Sequence, residues 1–154
     1  MDAHAANVSP TVHASAVLVG ARAVLIRGPA GAGKSRLALG LIQAADCGLL
    51  SFARLVGDDR VELAACHGRL LARPAPALAG LIEVRGVGIR RIDYEPVAVV
   101  GLVVDLAVAD AERLPRTAEE VEVVGIIIPR LAVAPGSDPV PAVLARLLTL
   151  GAEV

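Results

Sequence analysis

The stretch of the chain with the clearest capacity for chemistry is residues 28–35, which read GPAGAGKS. The spacing is G-x-x-x-x-G-K-S, and it stands between a short apolar segment and a helical pattern. Glycines let backbone N–H groups turn toward anionic oxygens, and the helix that follows adds the positive end of its dipole. The pattern therefore predicts a loop that binds nucleotide phosphates. Its binding residues are expected to be Gly28, Pro29, Ala30, Gly31, Ala32, Gly33, Lys34 and Ser35.

Lys34 is distinctive because it is the only lysine among 15 basic residues, the other 14 being arginine. A compact ammonium group and a planar guanidinium group are not interchangeable, so a lysine retained in an arginine-rich chain points to a specific contact. We expect Lys34 to reach the β- and γ-phosphates as a point charge. The hydroxyl of Ser35 is expected to bind Mg²⁺.

An acidic pair, Asp58 and Asp59, follows a predicted strand at residues 53–56. Ligands of open α/β sheets gather at the carboxyl ends of strands. One carboxylate at such a place can hold Mg²⁺ or its water, and a second can accept the proton of an attacking hydroxyl. The alternative is a solvated acidic turn that leads into the next hairpin.

A further acidic candidate is Glu83, within the segment LIEVRGVGI at residues 81–89. Strand alternation places Ile82 on one face and Glu83 with Arg85 on the other. The functional interpretation is a carboxylate at a metal site beside a glycine-containing loop. The alternative is a solvent-facing ion pair on an edge strand.

The composition bounds the possible functions of the 154-residue chain. One Phe and one Tyr exclude an aromatic platform for single-stranded nucleic acid, and a net charge of −1 excludes a purely electrostatic DNA-binding protein. No basic leader and no apolar run of about 20 residues occurs, so we expect no membrane segment and a cytoplasmic location. Cys47 and Cys66 are too few for a disulfide scaffold and are expected to be small buried residues.

These residues must be positioned by an α/β fold in which strands outnumber helices. We expect a flexible leader at residues 1–10 and a single domain at residues 11–154. The predicted helices are residues 34–45 and 139–150, and the predicted loops are residues 73–80 and 107–120. The predicted strands are residues 11–19, 23–27, 53–56, 60–65, 69–72, 81–85, 97–106, 121–128 and 131–134.

Four elements, in order, resemble the catalytic domain of bacterial HPr kinase/phosphorylase. His13 lies 15 residues before Gly28, at the position of a family histidine. The phosphate loop is intact, residues 55–61 (LVGDDRV) resemble the L-V-x-D-D segment of the family, and residues 81–89 resemble its metal-binding glutamate segment. The similarity covers about residues 11–136.

The resemblance implies a P-loop nucleotide-binding core of the HPr kinase type, with a mixed β-sheet and few helices. It implies that phosphate is transferred from ATP, with Mg²⁺, to a serine of the phosphocarrier protein HPr, and that the same phosphate is removed by phosphorolysis. It also implies assembly as a homo-oligomer, which is a hexamer in the family. The resemblance implies that Asp59 is the base for transfer and the acid for the reverse step, with His13 near the aspartate pair. It implies that Asp58, Glu83 and Ser35 surround Mg²⁺. It also implies that Lys34 and Arg113 lie beside the transferred phosphoryl group.

Two departures from the family pattern qualify these expectations. The long form of the family has an N-terminal domain before the matching region, whereas about ten residues precede it here, which is expected of a compact form. The P-x-R-P-G-R region tied to phosphorolysis is matched by PRLAVAPG at residues 129–136, which lacks an arginine. Phosphorolysis is therefore less well supported than kinase activity. The alternatives are a kinase for another substrate and a nucleotide-binding regulator that transfers no phosphate.

Overall fold

The described part of the chain folds as a mixed β-sheet with helices packed on one face, as the α/β pattern predicts. The structure is a computed structural model, and it describes residues 10–115, 117–149 and 151. The predicted leader at residues 1–10 lies almost entirely outside the described residues. The described elements are eleven strands, two α-helices and one short 3₁₀ helix.

The elements alternate along the chain as follows. The strands are β1 Thr11–Val12, β2 Ala14–Val19, β3 Arg22–Arg27, β4 Ala53–Gly57, β5 Val61–Cys66, β6 Arg69–Pro74, β7 Leu81–Val84, β8 Gly88–Arg91, β9 Ala98–Asp105, β10 Glu119–Val123 and β11 Ile126–Ala132. The helices are α1 Lys34–Asp46 and α2 Pro139–Leu148, and the 3₁₀ helix is Pro76–Leu78. Neither of the two described α-helices combines the length and the hydropathy that crossing a bilayer requires.

The sheet topology brings three strand ends to one edge. Seven strands run in the order β1-β5-β6-β9-β3-β2-β4, and β11 joins β9 and carries β10. β9 pairs in parallel with β3 on one side and with β11 on the other. The carboxyl ends of these three strands therefore lie side by side. β7 and β8 form a separate antiparallel hairpin.

Apolar side chains form a core on each face of the sheet. Val24 and Ile26 of β3 belong to the core that includes Leu37 and Leu41 of α1, whereas Leu25 belongs to the opposite core. The strand alternation produces this division because neighbouring side chains of β3 point to opposite faces. Leu37 and Leu41 are fully buried, which confirms the predicted inner face of the first helix.

The positions of several predicted elements need correction. The strand predicted at residues 11–19 is interrupted at His13, which separates β1 from β2. The strands predicted at residues 121–128 and 131–134 are wrong: β10 and β11 meet at a tight turn in which Val124 has φ 50° and Gly125 has φ 77°. The apolar run around this turn conceals it, since valine rarely adopts a left-handed conformation.

Smaller differences concern the ends of elements and one missed strand. β8, Gly88–Arg91, was not predicted because its side chains are exposed on both faces and show no alternation. α1 extends one residue beyond the prediction to Asp46, and α2 ends at Leu148. The last residue of the predicted second helix, at position 150, is outside the described residues.

The cysteine prediction was wrong in one respect. Cys47 and Cys66 are both exposed free thiols rather than buried residues. Cys47 follows the end of α1 and Cys66 ends β5 at the turn into β6. Both positions are at element ends, where chain reversal rather than side-chain hydrophobicity decides exposure.

Candidate active site

The phosphate loop has the backbone conformation that its glycines were predicted to allow. Gly31 and Gly33 have φ values of 81° and 98°, in the left-handed region that other residues rarely adopt. A Cβ atom at Gly28 would lie 3.1 Å from the Cβ of Leu106, so the loop also packs closely on the chain that leaves β9. Helix α1 begins at Lys34, directly after the loop, which aims its first N–H groups toward the loop.

Lys34 lies across the loop that precedes it. The residue is only 7% exposed, and its Nζ donates to the carbonyl oxygens of Gly28 at 2.8 Å and Pro29 at 3.1 Å. An ammonium group has three donors, so one remains for a further acceptor. The buried positive charge is thus held at the loop by backbone carbonyls rather than by a carboxylate.

Asp58 is a buried hub for three separate elements. The residue is 3% exposed. The hydroxyl of Ser35 donates to both of its carboxylate oxygens at 2.8 Å, and the hydroxyl of Ser15 donates to Oδ1 at 2.5 Å. The backbone N–H of Glu83 donates to Oδ2 at 3.0 Å. Asp58 therefore ties β2, the start of α1 and β7 to the carboxyl end of β4.

Asp59 faces the opposite way from its neighbour. It adopts a left-handed φ of 66°, a conformation that aspartate tolerates better than most residues, and its side chain is 60% exposed. Its Oδ1 lies 2.7 Å from Nε2 of His13 at the interruption between β1 and β2. The turn thus separates two adjacent carboxylates, one buried and hydrogen-bonded and one exposed to solvent.

Two residues predicted for the site, Glu83 and Arg113, have side chains that make no contact with the other candidate residues through an ion pair. Glu83 approaches Asp58 through its backbone, while its own side chain is exposed and makes no ion pair with any described residue. Arg113 is exposed in the loop between β9 and β10, and it likewise has no ion pair with a described residue. Within the described part of the chain, no three His, Cys, Asp or Glu side chains converge as a metal site.

The structure also reveals residues that the sequence reasoning missed. Ser15 is fully buried and supplies one of the three donors to Asp58. A hydroxyl in the otherwise apolar segment ASAVLV of β2 was the available signal, since a buried polar group needs a partner.

A second missed feature is the buried carboxylate of Asp105 at the end of β9. Arg27, the last residue of β3, donates to both oxygens of Asp105 at 2.7 and 2.9 Å, and Arg130 donates to one of them at 2.6 Å. Burial would raise the pKa of Asp105, but the hydrogen bonds and charges of the two arginines hold that pKa below its usual range. Hydrogen bonds to its carboxylate partners raise the pKa of Arg130, and the bond to Asp110 makes the largest contribution to this shift.

The side chains around the loop suit a nucleotide and a hard cation. Glycines in left-handed conformations leave open space where a Cβ atom would stand at Gly31 and Gly33. Ser35 and Asp58 place hydroxyl and carboxylate oxygens together, and oxygen ligands are those that Mg²⁺ prefers. An ammonium group and helix N–H groups on the other side match the negative charge of a polyphosphate.

Comparison with known proteins gives a consistent result. A family described as HPr Serine kinase C-terminal domain matches residues 5–143. The HPr kinase/phosphorylase of Streptococcus thermophilus is 34% identical over 142 positions, and that of Streptococcus pneumoniae is 38% identical over 135. Both alignments cover 80% of this chain and 41% of the relative, so the chain spans less than half the length of the curated relatives it matches.

A solved structure has the same fold. The HPr(Ser) kinase/phosphatase of Coxiella burnetii superposes with a TM-score of 0.72 at 24% sequence identity, covering 90% of this chain and 88% of that one. The mixed sheet with few helices is thus the fold that the resemblance implied. With the family match extending over most of its length, this chain belongs to the HPr serine kinase C-terminal domain family.

Proposed function

We propose that the chain is an ATP-dependent protein kinase that phosphorylates a serine of HPr. The observation that carries the proposal is the exposed Asp59–His13 pair. This pair stands beside the hydrogen-bonded Ser35 and Asp58, next to the loop that precedes Lys34. A base accessible to a protein substrate, next to a phosphate-binding loop, is the arrangement that phosphoryl transfer to a hydroxyl requires. The names of the curated relatives support HPr as the acceptor.

In this proposal Asp59 orients the serine hydroxyl and accepts its proton. The serine oxygen forms a bond to the γ-phosphorus as the bond to the β–γ bridging oxygen breaks, and ADP leaves. The transition state of such transfers is loose, so orientation contributes more than basicity. Nε2 of His13, 2.7 Å from Oδ1 of Asp59, holds the carboxylate in place so that its other oxygen faces the substrate.

Charge on the transferred group is balanced by residues on the loop and beyond it. Lys34 has a donor left for the γ-phosphoryl oxygens, and we assign Arg113 to the same group from the side of the β9–β10 loop. Ser35, Asp58 and Glu83 would hold Mg²⁺. When bound, the cation neutralises charge on the phosphate oxygens.

The direct test incubates the chain with ATP, Mg²⁺ and purified HPr and locates the phosphate by mass spectrometry. We expect one phosphate on a serine of HPr. In a parallel incubation with a cell extract, phosphate found only on a protein other than HPr would instead indicate a kinase for a different substrate. Tight ATP binding without any transfer would favour the nucleotide-binding regulator. Either of these results contradicts the proposal.

A variant separates the base from the nucleotide site. Asp59→Asn is expected to abolish transfer while ATP binding stays within about twofold of the unaltered chain, since the carboxylate does not touch the phosphate loop. Asp46→Asn, with the same chemical change at the far end of α1, is the matched control and should retain activity. Loss of ATP binding in Asp59→Asn would remove Asp59 from the role of base.

We further propose that the chain self-associates, as the resemblance to a hexameric family implies, and works in the cytoplasm. Large apolar side chains that are exposed in the single chain support association: Val87 and Ile89 in the β7–β8 hairpin are 63% and 64% exposed. Light scattering after size-exclusion chromatography measures the mass directly. A monomer at micromolar concentration would contradict this proposal without affecting the assigned chemistry.

A further inference from the structure

Arg130 of β11 contacts three carboxylates at once. It donates to Asp105 at 2.6 Å, to Glu119 at 2.8 Å and to Asp110 at 3.1 and 3.3 Å. Its side chain is only 14% exposed. A guanidinium group presents five donors in a rigid fork, which is the geometry needed to bridge several carboxylates.

The three carboxylates mark the course of the β9–β10 loop, whose described residues are 106–115 and 117–118. Asp105 is the last residue before the loop, Asp110 lies within it, and Glu119 is the first residue of β10. Arg130 therefore contacts residues at the start, in the middle and at the end of this loop. Arg113 lies three residues after Asp110.

Side chains rather than backbone hold the second half of this loop. The N–H of Leu106 donates to the carbonyl oxygen of Arg27, and the N–H of Val108 donates to the carbonyl oxygen of Val133, so the first residues are anchored through the main chain. The described residues of the second half, 112–115 and 117–118, make no backbone–backbone hydrogen bond to another described residue outside the helices and strands. The contacts of Arg130 are thus the ordering influence closest to Arg113.

The same network reaches the phosphate loop. Asp105 also accepts two hydrogen bonds from Arg27, and Arg27 is directly followed by Gly28. A continuous path of charge-assisted hydrogen bonds therefore runs from the start of the phosphate loop through Asp105 and Arg130 to the loop that carries Arg113. Such bonds are shorter and stronger than neutral ones, which makes the path suitable for fixing two loops relative to each other.

We propose that Arg130 is a positioning residue that holds the β9–β10 loop against the carboxyl edge of the sheet, so that Arg113 is placed toward the phosphate loop. The inference rests on the proposed function, because the role of Arg113 in charge stabilisation is part of it. Arg130 itself contacts no substrate in this proposal and acts only through its hydrogen bonds to the three carboxylates. A misplacement of about 1 Å can lower a rate by about a hundredfold, so loss of this anchor should be visible in kcat.

The kinetic test is a double-mutant cycle with HPr and ATP. Arg130→Gln is expected to lower kcat about tenfold and leave the KM for ATP within about twofold, since the contacts of Lys34 and Ser35 are untouched. Arg113→Gln should lower kcat about a hundredfold, the usual size for loss of one charge-stabilising donor. The double variant should be no slower than Arg113→Gln alone. Losses that multiply would overturn the proposal.

A second measurement does not depend on kinase activity. Trypsin cleavage after Arg113, identified by fragment mass, should be faster in Asp110→Asn and Arg130→Gln than in the unaltered chain, because both release the loop. Asp110 is exposed, so its variant will fold. Arg54→Gln is the matched control, since it breaks the ion pair with Glu95 and touches neither loop. Equal cleavage rates in all four chains would overturn the positioning role, whereas absent transfer to HPr would overturn the proposed function alone.

Discussion

Two buried carboxylates flank the phosphate loop, and their partners differ in charge. Asp58 is 3% exposed and accepts from two hydroxyl groups and one backbone N–H. Asp105 is 7% exposed and accepts from the guanidinium groups of Arg27 and Arg130. Both stand at the carboxyl ends of strands, on opposite sides of the loop.

The difference in partners distinguishes a carboxylate that can still bind a cation from one whose charge is already compensated. The negative charge of Asp58 is not neutralised by any described cationic side chain in contact with it, so it remains able to attract a divalent cation. The charge of Asp105 is already compensated by two arginines that occupy its oxygens. Burial alone therefore does not indicate function: the charge of the hydrogen-bond donors decides whether a carboxylate can still bind a cation.

The largest effect on stability is expected from Asp105→Ala. Removal of this carboxylate leaves Arg27 without its ion-pair partner and Arg130 with only Glu119 and Asp110, and breaking a buried ion pair in this way costs about 3 kcal/mol. The free energy of unfolding measured in urea should fall by about that amount. An unchanged urea midpoint would show that water compensates Arg27 and that the remaining carboxylates compensate Arg130.

A smaller loss of stability is expected from Asp58→Ala. Its three donors are neutral, and leaving a buried hydroxyl and an N–H unsatisfied costs about 2 kcal/mol. Phosphoryl transfer should nevertheless be lost completely, because Ser35 loses the partner that holds it at the loop. If Asp58→Ala destabilises the chain more than Asp105→Ala in parallel urea titrations, the comparison above is reversed.

Ser15→Ala tests a single bond of the Asp58 hub. Ser15 is fully buried, and loss of its hydrogen bond to Asp58 should lower the free energy of unfolding by about 1 kcal/mol. Transfer activity should persist, since Ser35 and the N–H of Glu83 still orient the carboxylate. Thermal unfolding and the HPr assay measure the two outcomes, and loss of activity at normal stability would assign Ser15 a closer role in the chemistry.

The smallest expected effect is the dependence of stability on pH under acidic conditions. The pKa of Asp105 is held below its usual range, where the ordinary pKa of aspartate is about 3.9. Its contribution to stability is therefore complete above about pH 3.9 and is lost as the pH falls through the lower pKa of the folded chain. The urea midpoint of the unaltered chain should decrease more steeply below pH 4 than that of Asp105→Asn. Parallel decreases would contradict the assigned cause.

Local patterns explain how much of the fold was predictable. The course of the glycine-rich loop at residues 28–33 and of helix α1 was confirmed almost to the residue, because a glycine pattern and a 3.6-residue period are properties of contiguous sequence. The turn at Val124 was misplaced because an apolar run with a left-handed valine has no local signal. The missed β8 has exposed residues throughout, so no hydrophobic period could reveal it.

For the candidate site, the amino-acid sequence by itself determined the glycine-rich loop, its single lysine and the acidic pair, and it predicted phosphate binding from their residue types and short spacing. Only the tertiary structure decided that Asp58 turns inward to Ser15 while Asp59 turns outward to His13, as partners 43 and 46 residues apart must meet across strands. It also decided the network of Arg27, Asp105 and Arg130, whose members are 78 and 25 residues apart. Contacts between distant residues depend on strand order and register, which no local pattern encodes.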